Sequence, residues 1–216
     1  KLKDAYVSKK ILFNQDSPDF YEVAKNIADY DLRKQALKDE IDSLKVENTF
    51  ESNKKIKLLS SKDTLGELEF EALLIAVENF QQLSLLSSIL PYYDVDQKEI
   101  QYLGTSIWNK DAVVKEPGLD NSVFVSLDKS KVEVFNELYL DSFKKRPHPI
   151  AIYAFDTIGL ISSLDKNNLL INKENILSLK GFNGLSGKFQ FKKNGEISRS
   201  LMLYRIKNEK IINIKN

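Results

Sequence analysis

Short apolar runs alternate with stretches of helical periodicity from Tyr6 to Lys145, and this alternation leaves few possible folds. The runs that favour strands are Tyr6–Phe13, Ile56–Leu59, Phe70–Val77, Ile100–Gly104 and Ser122–Leu127. Apolar residues recur between several of these runs at intervals of three and four residues, which is typical of amphipathic helices. Because strands that alternate with helices tend to pair in parallel, the pattern predicts an α/β fold. We expect a parallel, doubly wound sheet with flanking helices.

The helical stretch Phe20–Leu44 is the longest in the chain. Ser17 can cap its start, and Pro18 suits a first helical position. We expect a break near Asp31 and a distal half that projects from the domain. The polar, Asn-rich residues Glu47–Lys55 predict a loop.

The C-terminal part of the sequence predicts two further helices and then an antiparallel meander. Helical spacing covers Val132–Phe143 and Ile150–Leu164. The strands and turns of the meander are Lys188–Phe191, the turn at Asn194-Gly195, Leu201–Ile206, the turn at Asn208-Glu209, and Ile211–Ile214. Asn-Gly is a strong hairpin signal, and we expect these strands to form an appendix to the parallel sheet.

Composition and charge exclude several classes of function. The 216 residues carry 32 Lys and Arg beside 31 Asp and Glu, a net charge of +1, so no basic face points to nucleic acid. The chain has no cysteine and a single histidine, His148, which argues against disulfides, a cysteine nucleophile and a zinc site. No apolar run approaches the length of a membrane span.

The sequence offers no catalytic constellation, no metal site and no cofactor motif. Gly181–Gly187 is rich in glycine, but it matches no phosphate-binding fingerprint and predicts a tight turn into a hairpin. Ser186 lies within it, and no histidine is placed to activate that hydroxyl. The acidic cluster Asp39-Glu40-Asp42 predicts a solvated helix face, because catalytic carboxylates need perturbed surroundings. We therefore expect the protein not to be an enzyme.

One aromatic residue stands where a ligand could bind. Trp108 follows Gly104-Thr105-Ser106, just past the carboxyl end of a predicted parallel strand, which is where open α/β sheets place their ligands. An alternative of equal weight is that Trp108 covers the edge of the sheet.

Four stretches in order resemble penicillin-binding protein activators of the leucine-binding-protein-like type. They are Ile27–Arg33, Leu90–Asp96 with Ile100–Trp108, Tyr153–Leu160, and Gly181–Phe191 followed by Asn194-Gly195, Arg199, Leu201 and Ile206. Their order and spacing agree with that family from about Tyr6 to the end of the chain. Each motif is only moderately specific, whereas four in the right order are hard to obtain by chance.

The resemblance implies a bilobal fold of the type 1 periplasmic-binding-protein class, of which this chain is the C-terminal part. Residues 1–126 would form the second lobe. Residues 127–216 would form helices that return toward a first lobe, followed by the meander. The main part of that first lobe would precede Lys1.

Two sets of site residues follow from these considerations. The candidates for a ligand cleft are Thr105, Ser106, Trp108 and Asn121. Asn121 stands where the resemblance implies a carboxylate for an amino-acid ammonium group, and a neutral amide cannot supply that charge-assisted bond. The candidates for contact with a partner protein are Asp29, Tyr30, Arg33, Tyr92 and Tyr93.

The resemblance implies two functions, and fold alone does not choose between them. The first is a non-catalytic periplasmic or envelope-anchored lipoprotein module that regulates a peptidoglycan synthase, a penicillin-binding protein. The second is the substrate-binding component of an ABC uptake system for an amino acid or amide. A third hypothesis is a gene remnant without activity.

Overall fold

The computed structural model describes residues 5–14 and 16–214. The helices are α1 (Phe20–Ile27), α2 (Tyr30–Glu47), α3 (Phe50–Leu59), α4 (Phe80–Ile89), α5 (Lys129–Phe143), α6 (Ala151–Lys166) and α7 (Lys173–Ser178). The strands are β1 (Ala72–Ile75), β2 (Gln101–Gly104), β3 (Val123–Ser126), β4 (Phe182–Gly184), β5 (Gly187–Phe191), β6 (Ile197–Arg199), β7 (Met202–Lys207) and β8 (Lys210–Asn213). Within the described residues, no helix has the length and apolar character that crossing a membrane requires.

The chain divides into two compact units. Unit 1 comprises the residues up to Val123 together with Ile206–Ile211, and unit 2 comprises Phe124–Arg205 together with the residues from Ile212 onward.

Two sheets organise the strands. The larger has the order β1-β2-β3-β7-β8, and β1 and β2 pair in parallel with Ala72 opposite Gln101 and Ile75 opposite Gly104. The smaller is antiparallel with the order β4-β5-β6. The predicted α/β class with a parallel-containing sheet and flanking helices is therefore confirmed.

The predicted C-terminal appendix needs a correction. The strands β7 and β8 belong to the larger sheet, and the separate antiparallel sheet is built from β4, β5 and β6. The turn predicted within Gly181–Gly187 is confirmed, since Gly184 pairs with Gly187 across Leu185 and Ser186. Gly187 adopts a φ of +95°, which a glycine tolerates without a steric penalty.

The predicted break in the first long helix is confirmed near the expected position. Asp19 caps α1, and its carboxylate accepts hydrogen bonds of 3.1 Å from the backbone amides of Tyr21 and Glu22. Asp29 then adopts a left-handed backbone with a φ of 47°, and α2 begins at Tyr30. Because a helix cannot continue through a left-handed residue, α1 and α2 are separate elements.

The predictions of a loop over Glu47–Lys55 and a strand over Ile56–Leu59 are wrong, because α3 begins at Phe50 and continues through Leu59. Thr49 and Ser52 form a reciprocal capping box at the start of α3. The apolar residues of α3 then pack with those of α2 in one cluster. Its members are the buried Leu37, Leu44 and Leu59 with the partly buried Ile41, Ile56 and Leu65.

The predicted strand Tyr6–Phe13 is also wrong, since the structure assigns neither strand nor helix there. Tyr6 and Val7 are each 84% exposed. The segment contacts other residues of unit 1: Phe13 lies edge-on to Phe20 at 5.6 Å, and Lys9 donates to the Asn26 carbonyl and pairs with Asp29 at 2.5 Å. A sequence of strand-forming residues does not become a strand without a neighbour that takes its backbone hydrogen bonds.

The core of unit 1 surrounds β2. Tyr102 is fully buried, and its hydroxyl donates to the Val95 carbonyl at 2.5 Å. Burial raises the pKa of the Tyr102 phenol, because a phenolate would be poorly solvated there. Trp108 is also fully buried and packs onto Gly104, where a Cβ atom would lie 2.2 Å from the indole.

Candidate functional site

Two segments that are distant in the sequence meet on one surface of unit 1. Tyr30, the first residue of α2, lies edge-on to Tyr93 with 4.9 Å between ring centroids. Tyr93 belongs to a short 3-10 helix after α4, and its neighbour Tyr92 is 79% exposed. Asp29 is exposed beside Tyr30. We call the set Asp29, Tyr30, Tyr92 and Tyr93 the tyrosine surface.

Arg33 holds the base of the tyrosine surface in place. Its guanidinium is 3.1 Å from the Asp94 carboxylate and donates to the Thr64 hydroxyl at 2.9 Å and to the Gly66 carbonyl at 3.0 Å. Thr64 in turn donates to Asp94 at 2.8 Å. The Arg33 side chain is 14% exposed, so its donors serve the protein rather than solvent. Arg33 therefore ties α2 to the loop before β1 and to the turn after α4.

Of the residues predicted to contact a partner, the structure brings all five into one region of unit 1. Tyr92 and Asp29 are exposed to solvent. Arg33 is mostly buried and bonds to Asp94, the residue after Tyr93. A planar guanidinium with several fixed donors suits this positioning role better than a lysine would.

The residues predicted to line a ligand cleft do not all come together. Thr105, Ser106 and Trp108 follow the carboxyl end of β2. Ser106–Trp108 form a short 3-10 helix there. The carbonyl of Asn121 instead accepts from the side chain of Gln101, the first residue of β2, at 3.2 Å. A strand of this length separates its two ends by about 10 Å. Asn121 is exposed with a φ of 61°, and its backbone amide donates to the Ile206 carbonyl at 2.8 Å.

Unit 2 contains a buried polar cluster that the sequence did not predict. Asp156 on α6 is 2% exposed, and its carboxylate accepts from the backbone amides of Leu185 and Ser186 at 2.8 Å each. The hydroxyl of Ser186 donates to the same carboxylate, and Arg199 donates to Ser186. Gly184 is required beside it, because a Cβ atom there would lie 2.2 Å from the Asp156 carboxylate.

This cluster positions the β4–β5 turn on α6, and its chemistry is structural. Ser186 is fully buried and hydrogen-bonded to Asp156 and Arg199, so its hydroxyl is not open to a substrate. Arg199 lies over the rings of Tyr153 and Phe189 at 4.8 and 4.6 Å, where cation–π attraction holds the guanidinium. The signal in the sequence was a lone aspartate within the otherwise apolar helix Ile150–Leu164.

Groups of His, Cys, Asp or Glu that could hold a metal ion do not occur in the described part of the chain. The tyrosine surface presents the rings and hydroxyl groups of its tyrosines beside the exposed Asp29 carboxylate.

The α/β fold of this chain, with its parallel pair of β1 and β2, is similar to that of solved binding proteins. A putative branched-chain amino acid ABC transporter from Rhodospirillum rubrum has this fold, with a TM-score of 0.53 and 12% identity over 67% of this chain and 44% of that chain. The C-domain of LpoA from Haemophilus influenzae, a regulator of PBP1A, matches at a TM-score of 0.45 and 12% identity over 76% and 56% of the two chains. A leucine binding protein from Thermotoga maritima matches at 0.43 and 15% over 76% and 47%.

These similarities concern the fold alone, because sequence identities this low carry no information about activity. Of these three structures, only the protein from Rhodospirillum rubrum has a TM-score above 0.5. The chain spans about half the length of these solved structures. The sequence matches no family model and no curated protein.

Proposed function

We propose that this chain is a non-catalytic, binding-protein-like module that regulates a peptidoglycan synthase by direct contact through the tyrosine surface. The observation that carries the proposal is the convergence of Tyr30 and Tyr93, which brings two segments similar to the penicillin-binding protein activators onto one face. The matched regulator of PBP1A is of the same kind by name, although its TM-score is too low to support the proposal.

The tyrosine surface has the physical properties of a protein contact. Tyrosines supply a large contact area with few rotatable bonds, and they dominate the energetics of many interfaces. Tyr92 projects to solvent, whereas Tyr30 and Tyr93 are half-buried and so are pre-organised. A rigid surface loses less conformational entropy when a partner binds.

The domain roles form part of the proposal. We assign residues 1–126 to the second lobe of a bilobal protein and residues 127–216 to return helices and closing strands. Support comes from the division of the chain after Val123, with Phe124–Arg205 in unit 2, while Ile206–Ile211 return to unit 1. In this role the protein lies in the periplasm or is a lipoprotein anchored to the cell envelope.

The proposal is tested by substitution of the most exposed tyrosine in the surface. We expect Tyr92→Ala to reduce the amount of penicillin-binding protein that the full-length protein retains in a pull-down from envelope extracts. Tyr6→Ala is the matched control, because Tyr6 is 84% exposed and lies outside the tyrosine surface. Retention of no penicillin-binding protein by the unsubstituted protein, or equal retention by all three, would contradict the proposal.

A second candidate function is the substrate-binding component of an uptake system for an amino acid or amide. It is favoured by the matched transporter of branched-chain amino acids and by the position of Thr105 and Ser106 at the carboxyl end of β2. A ligand that binds only the folded protein raises its melting temperature. A thermal-shift screen of amino acids and amides on the full-length protein that shows no stabilisation would exclude this function.

A further inference from the structure

A groove of about 520 Å³ opens in unit 1 next to the tyrosine surface. Phe70 and Glu71 line it just before β1, and Glu99 and Ile100 line it just before β2. The groove therefore lies at the amino ends of the two parallel strands. This is the end opposite to Thr105 and Ser106, so the groove is separate from the predicted ligand cleft.

The lining of the groove carries more negative than positive charge. Its carboxylates are those of Asp63, Glu67, Glu71, Asp94 and Glu99, and its cations are Arg33 and Lys62. The charge of Arg33 is already paired with Asp94. Glu67, Glu71 and Glu99 are exposed and make no ion pair within the described residues. A concave surface with an excess of one charge concentrates its field and attracts the opposite charge.

The acidic groove is continuous with the tyrosine surface. The Tyr30 hydroxyl donates to the Asp63 carboxylate at 3.2 Å, and Tyr93 directly precedes Asp94. The face of Tyr30 already attracts a cation, since the Lys34 ammonium lies 5.4 Å from its ring centroid. Aromatic faces beside carboxylates are favourable surroundings for lysine and arginine side chains.

The arrangement of the carboxylates distinguishes among cationic ligands. A metal ion needs several carboxylates that converge on one point, and none of the described residues form such a group. Here the carboxylates are spread along a groove whose volume accommodates several side chains. A chain of separated positive charges fits this distribution.

We propose that the acidic groove and the tyrosine surface together bind a lysine- and arginine-rich extended segment of the partner protein. This inference rests on the proposed function, and it adds the chemistry of the segment that the partner presents. Attraction between the groove and such a segment speeds association and orients the partner before the aromatic contacts form.

The test uses a fluorescein-labelled decalysine peptide and the full-length protein, with binding followed by fluorescence anisotropy at low ionic strength. The groove variant is Glu67→Gln/Glu71→Gln/Glu99→Gln. The control is Glu133→Gln/Glu137→Gln/Asp141→Asn, which removes the same charge from exposed positions of α5. We expect the groove variant to bind about tenfold more weakly, the control to bind like the parent, and added salt to weaken the parent's binding.

Absence of peptide binding to the parent, or equal weakening in both triple variants, would overturn the inference. Circular dichroism of each variant establishes that it is folded before binding is compared. The same two variants in the synthase pull-down separate this inference from the proposed function. Loss of retention in the groove variant alone supports the inference, whereas full retention contradicts it and leaves Tyr92→Ala to decide the proposed function.

Discussion

Asp156 is 2% exposed on α6, and the polar atoms around it are arranged to receive its carboxylate. It accepts two backbone amides of the β4–β5 turn and the Ser186 hydroxyl. Arg199 lies beside Ser186 and supplies positive charge to the cluster. A buried carboxylate is tolerated when its oxygens are this fully hydrogen-bonded.

We expect Asp156→Ala to lower the free energy of unfolding by about 3 kcal/mol, because the buried amide and hydroxyl of Ser186 and the part-buried amide of Leu185 lose their acceptor. Urea denaturation measures this change. Asp165→Ala is the control, since Asp165 is exposed on the same helix and should change stability little. A loss as small as that of the control would show that Asp156 is not required to hold the turn.

Helix α5 illustrates how an element depends on its cap. Asp128 precedes α5, and its carboxylate accepts from the Ser130 amide at 3.0 Å and the Ser130 hydroxyl at 2.7 Å. The hydrogen bond from the Ser130 hydroxyl is the main cause that lowers the pKa of Asp128, and partial burial opposes it. The folded state therefore favours the ionised carboxylate.

The cap of α5 should contribute stability that depends on pH. Because the pKa of Asp128 is lower in the folded protein, its ionised carboxylate stabilises the fold fully above the unfolded aspartate pKa of about 3.9. This stabilisation is lost as the pH falls through the lower pKa of the folded state. We expect Asp128→Ala to lower the free energy of unfolding by about 1 kcal/mol at pH 7. At a pH below the folded pKa of Asp128 the substitution should lower it by almost nothing. Denaturation of both proteins across that range measures the difference, and a constant difference would contradict it.

At the scale of the whole molecule, unit 2 exposes large apolar side chains on α5 and α6. Phe143 is 60% exposed, Phe155 48% and Ile158 63%. Aromatic contacts join the two helices, since Phe135 lies 5.6 Å from Phe155. Exposed apolar side chains of this size favour association where they form a patch.

We expect Phe155→Ser/Ile158→Ser to decrease the fluorescence of the dye ANS bound to this chain, because the substitutions remove exposed apolar area. The control is Leu32→Ser/Val46→Ser on α2, where the side chains are 72% and 87% exposed. Unchanged circular dichroism is required of both. An equal decrease in the control would show that α5 and α6 present no special apolar surface.

Periodicity predicted much of the fold. The spacing in Phe20–Leu44 gave two helices separated by a break, and the apolar runs around Leu73, Leu103 and Phe124 became strands β1, β2 and β3. It failed at Tyr6–Phe13, where strand-forming residues have no pairing partner in the described structure, and at Ile56–Leu59. Those apolar residues pack on Leu37 and Leu44 of α2, and this contact selects helix over strand.

The sequence likewise predicted some features of the candidate site and missed others. The sequence singled out Tyr30, Arg33 and Tyr93 separately, through similarity to the activators, but it could not place them together. It also marked Trp108 as a ligand candidate, whereas the structure buries the indole against Gly104. The role of Trp108 in a ligand cleft therefore stays a prediction, and so does the alternative that it covers the edge of the sheet.

The sequence by itself determined the alternation of strands and helices, the hairpin turns and the absence of cysteine chemistry, because these depend on residues close together in the chain. Tertiary structure alone decided that Tyr30 meets Tyr93, that Asp156 holds Ser186 and that the acidic groove adjoins the tyrosine surface. Such contacts join residues far apart in the sequence. Their energies depend on packing and on the exclusion of water, which no local pattern specifies.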